Sequence, residues 1–78
     1  MESIDVTTVL DRGARYLGNS PEHLSKRMAL AHLLVDARIV RTAEAAVLAF
    51  RLWAVPESRQ HPVEKIIAIA TDKARATL

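Results

Sequence analysis

The chain has 78 residues, half of them apolar and 26% charged, a formal charge of +2 and no cysteine. That balance excludes disorder, which needs low hydrophobicity and high net charge; the lack of cysteine excludes disulfide scaffolds, thiolate zinc sites and cysteine nucleophiles. The longest uninterrupted apolar run, Ala45 to Phe50, has six residues, where a membrane span needs about twenty.

In chain order, Val6, Val9, Leu10, Gly13 and Leu17 fall on one helical face, with Asp5 placed to cap the helix they predict. The run Leu17-Gly18-Asn19-Ser20-Pro21-Glu22 reads as a helix boundary. Gly18 suits a left-handed position after the first helix, Ser20 an N-cap, Pro21 the first helical position, and Glu22 the positive end of the helix dipole. The second helix is predicted from Pro21 to about Arg38. One apolar stripe on it is Leu24, Met28, Ala31 and Val35, and another is Leu30, Leu33, Leu34 and Ala37; Ser25, His32 and Asp36 form a narrow polar strip. A helix this apolar around its circumference needs cover on several sides. A third helix is predicted after Thr42, an N-cap candidate, to about Val55, its apolar surface interrupted by Glu44 and Arg51. After a polar connector from Pro56 to Gln60, a fourth opens at Pro62 with Val63, Ile66, Ile67, Ala70 and Ala74 on one face. No run alternates with period two for long enough to be a strand, so the prediction is a single all-α domain, a compact bundle of about four helices.

Little here points to catalysis. The carboxylates are scattered, with no acidic pair at i, i+3 or i, i+4 in a predicted helix. His23 and His32 are nine residues apart, which turns them to opposite sides of one helix and prevents them from sharing a metal. His61, beside a helix start, is expected to help cap it. Gly13 and Gly18, the only glycines, make no phosphate loop. The expectation is a non-enzyme with no cofactor and no metal. No charged-then-apolar export signal opens the chain, so a cytoplasmic protein is expected.

Leu10 to Met28 carries the strongest pattern. A helix-turn-helix needs a small residue where its two helices cross, which Gly13 and Ala14 supply, and a turn that tolerates unusual backbone, here Gly18. Its second helix needs an N-cap, an inward Leu24 and polar side chains on its first two turns. Glu22, His23, Ser25, Lys26 and Arg27 supply those polar positions, and Arg12 and Arg15 could reach flanking phosphates. The stretch ARYLGNSPEHLSKRM, Ala14 to Met28, resembles the helix-turn-helix of AraC-type transcription regulators, whose pattern runs small-x-x-Leu-Gly-apolar-Ser-Pro-x-x-Leu-Ser-Arg-x-Phe. The resemblance covers about a fifth of the chain and implies that Ser20, Glu22, His23, Lys26 and Arg27 lie at double-stranded DNA. Asn19 departs from it where the family packs an apolar residue under the turn, and Gly13 where the family has Leu.

The other message is a surplus of apolar helix surface. A domain this short buries only about 60% of what its unfolded chain exposes and, without disulfides or metal, must pack unusually well or share its core. Leu30, Leu33, Leu34, Ala37, Leu48, Leu52 and Trp53 are expected to form a partner or dimer interface. Two readings stay open. One is a small DNA-binding regulator acting as a homodimer; the other is a protein-binding helical module, an adaptor or inhibitor docking on a larger protein, with no nucleic-acid role.

Overall fold

In the computed structural model, residues 5–76 are described. They form four α-helices: α1 (Val6–Arg15), α2 (Pro21–Asp36), α3 (Ala43–Ala54) and α4 (Val63–Ala76), with a 3-10 segment over Pro56–Gln60 between the last two. The Cα radius of gyration is 11.6 Å, against about 11.5 Å for a folded chain of this length, so the helices close into one body.

Three of the boundaries are set by short polar side chains. The Asp5 carboxylate accepts from the Thr8 N–H and hydroxyl, the Ser20 hydroxyl accepts from the His23 N–H, and the Thr42 hydroxyl accepts from the Ala45 N–H. Each satisfies a donor that the first turn leaves without an intrahelical partner. At α4 the Pro62 carbonyl accepts from the Lys65 and Ile66 N–H groups. His61, expected to help cap this helix, is exposed and its side chain makes no hydrogen bond among the described residues.

Helix α3 is the centre. Ala45, Ala46, Ala49, Phe50 and Trp53 on it are buried, and α1, α2, α4 and the 3-10 segment all pack against it. The alanines let neighbouring backbones approach closely, while Phe50, Leu10, Leu34 and Ile66 supply the large, fully buried side chains. The α4 face predicted from Val63, Ile66, Ile67, Ala70 and Ala74 is the one turned inward.

Gly13 does permit a close helix crossing, but its partner is α3. A Cβ at Gly13 would collide with the Phe50 ring. The expected left-handed turn at Gly18 is likewise displaced: neither glycine has a positive φ, and the left-handed residue is Arg38, at φ 63°. There the Ile39 N–H donates to the Leu34 carbonyl at 2.9 Å and the Arg38 N–H to the Val35 carbonyl at 3.0 Å. This is the bond pair of a Schellman cap. It brings Ile39 back against the core.

The orientation of α2 departs most from expectation. Its buried residues are Arg27, Ala31 and Leu34, a line running between the two predicted stripes. Leu24 and Met28, which a helix-turn-helix needs inside, are 44% and 39% exposed. Leu34 and Trp53, expected at a partner interface, lie in the chain's own core.

Candidate functional site

Two surfaces compete for the site: the turn between α1 and α2, and the outer side of α2 and α3.

At the turn, the side chains predicted to reach DNA mostly hold the backbone. Arg27 is 7% exposed, and its Nη1 donates to the carbonyls of Tyr16 at 2.9 Å and Gly18 at 3.0 Å. That corrects its assignment to a DNA surface. A guanidinium can leave water when it satisfies backbone acceptors, and these two lie in a turn with no ladder of its own. One turn earlier, His23 Nδ1 accepts from the Gly18 N–H at 3.0 Å, and its ring meets Tyr16 edge-on with centroids 5.5 Å apart. A methyl group on Gly18 would sit 2.7 Å from that nitrogen, so any larger residue here would displace the His23 ring.

Lys26 is exposed but engaged. Its ammonium lies 3.2 Å from a Glu22 carboxylate oxygen and 5.2 Å from the centre of the Tyr16 ring. The bond to Glu22, followed by Tyr16, holds its pKa above the ordinary 10.5. Ser20 is the N-cap already described. Arg12 and Arg15 are exposed on α1, and among the described residues their side chains have no hydrogen bond or ion pair. Of the seven predicted contacts, these two arginines therefore offer unengaged positive charge.

The second surface is a groove of about 360 Å³ lined by Met28 of α2 and by Ala43, Glu44, Val47, Leu48 and Arg51 of α3. Its floor is apolar, with one acidic and one basic side chain along its rim. Leu24 lies one turn before Met28 on the same side of α2 and extends the apolar strip. Leu48 is half-buried and lines this groove, whereas Leu30 and Leu52, also predicted at an interface, are half-buried against the core and do not line it. Leu33 is 48% exposed but points roughly 140° away from Met28 around α2, and Ala37 is the exposed C-cap. The structure thus leaves Leu48 in the groove and adds Met28 and Val47. Met28 and Leu24 were missed because the sequence pattern assigned them to the inward stripe.

A smaller cleft of about 170 Å³ lies between the start of α3 and the end of α4, lined by Arg41, Thr42, Glu44, Ala45, Thr71, Ala74 and Arg75. A third opening, about 330 Å³, is edged by Asp11, Ala14, Arg15, Ala54 and Arg59. The Asp11 carboxylate at its edge accepts from the Trp53 indole N–H at 2.6 Å, tying α3 to α1. Among the described residues no three His, Asp or Glu side chains gather as they would for a metal ion, and no helix is long and apolar enough to cross a membrane.

A scan against protein-family models and searches of the curated proteins and of the solved structures found no match to this chain.

Proposed function

We propose that this chain is a non-catalytic helical interaction module that works as a homodimer through the groove between α2 and α3. The observation that carries the reading is the direction α2 faces. With Arg27, Ala31 and Leu34 inward, Leu24 and Met28 are exposed, and Met28 borders the groove with Val47 and Leu48. Large adjoining apolar side chains on a soluble surface mark a place that another protein surface covers. The same rotation argues against a duplex-reading head. It removes Arg27 from the surface, leaves Lys26 paired with Glu22, and turns outward the leucine and methionine that would support a helix-turn-helix from beneath.

Two measurements test this reading together. Concentration-dependent NMR should shift the Met28 methyl resonance while leaving the Leu33 methyls in place. Fluorescence polarisation with random duplex DNA at low salt should show no binding that responds to Lys26→Ala. Binding whose salt slope falls by about one unit in that variant would instead restore the DNA-binding regulator and overturn the proposal.

A further inference from the structure

The groove carries its own address. On α3, Glu44 and Arg51 are seven residues apart, which places them within about 20° of one another on the helix surface and roughly 10 Å apart along it. Val47 and Leu48 lie between them along the axis, one to each side of that line. Both charged residues are exposed, and neither has an ion-pair partner among the described residues.

We infer, resting on the homodimer reading above, that the occupant of this groove is a second copy of the chain, with the two α3 helices antiparallel about a two-fold axis passing between Val47 and Leu48. In a two-fold contact, if residue i meets residue j then j also meets i. Antiparallel pairing about that point sets Glu44 against Arg51 of the other copy, and Arg51 against its Glu44, so both rim charges are matched twice over. The same operation brings Val47 over Leu48 at the centre, while Met28, a flexible side chain that fills irregular gaps, closes the flank. A parallel pairing would instead set like charges against each other at both ends.

The test is charge reversal at exposed positions, where folding should be spared and circular dichroism can verify that helix content is kept. Glu44→Arg and Arg51→Glu each replace two attractions by two repulsions, so each variant alone should dimerise about tenfold more weakly than the parent. Mixed together, they should form a heterodimer of parental affinity, and the double variant E44R/R51E should also recover. A parent that dimerises but is indifferent to both reversals overturns this register and leaves the homodimer reading standing. A parent that remains monomeric overturns the homodimer reading itself.

Discussion

At Gly13 two effects oppose each other. Replacing a mid-helix glycine by alanine ordinarily stabilises by about 1 kcal/mol. Here the new methyl meets the ring of Phe50, which is fully buried and cannot swing away, and overpacking costs about 1–3 kcal/mol. Gly13→Ala should therefore lower the unfolding midpoint in urea; a rise would mean that α1 and α3 do not cross there. Arg38 is the reverse case. A non-glycine residue in the left-handed region costs about 1–2 kcal/mol, only part of which is offset by the extra freedom glycine has when unfolded. Since Arg38 is exposed and its side chain makes no hydrogen bond or ion pair among the described residues, Arg38→Gly should stabilise by about 0.5–1 kcal/mol, raising Tm by several degrees in a thermal melt. Arg27→Ala leaves two turn carbonyls without their charged donor and should cost about 2–3 kcal/mol, whereas a surface arginine would cost almost nothing. These three positions divide what the sequence could reveal. The need for a small residue at Gly13 was legible, but its partner was not, because Phe50 is distant along the chain. Arg27 offered no signal, since an arginine following Ser25 and Lys26 reads by default as part of a solvated face.

The helix boundaries at Asp5, Ser20 and Thr42 were readable because capping is local: the donor and acceptor lie three residues apart. The cap at Asp5 also titrates. The Thr8 hydroxyl and then the Thr8 backbone N–H hold its carboxyl below the ordinary 3.8, so its contribution is present above that value and is lost as pH falls through the lower folded pKa. Amide protection in the first turn of α1 should decline at such low pH in the parent and much less in Asp5→Asn, which keeps the acceptor but has no charge to lose; equal decline in both would remove the carboxylate from the explanation. The face α2 turns inward was not legible. Apolar side chains spread around much of that helix, so periodicity alone could not choose among its faces. The choice falls to contacts beyond the helix itself: the packing of Ala31 and Leu34 into the shared core and the turn carbonyls that draw in Arg27. It follows that Leu33→Glu, on the solvent side of α2, should leave both Tm and self-association unchanged. A loss of association in that variant would place the working surface on the other side of the helix.

For the whole molecule, six of the thirteen buried apolar residues are alanines, packed among four large, fully buried side chains, so the core combines close helix approach with a small number of bulky contacts. Domains of this length have little stability to spare, and association adds to it by mass action. The thermal midpoint should therefore rise with protein concentration, as a melt recorded across a dilution series would reveal; a constant midpoint would mean that folding and association are uncoupled. The all-α class was legible in composition and periodicity, which also led to the expectation of surplus apolar helix surface. The place where the surplus emerges was not, because it depends on the rotation of one helix. Sedimentation equilibrium of the unmodified chain over a wide concentration range tests that surplus most directly. A mass rising from 8.6 kDa toward twice that value, with the transition moved to higher concentration by Glu44→Arg, is the predicted result. A mass that stays at 8.6 kDa throughout would contradict it.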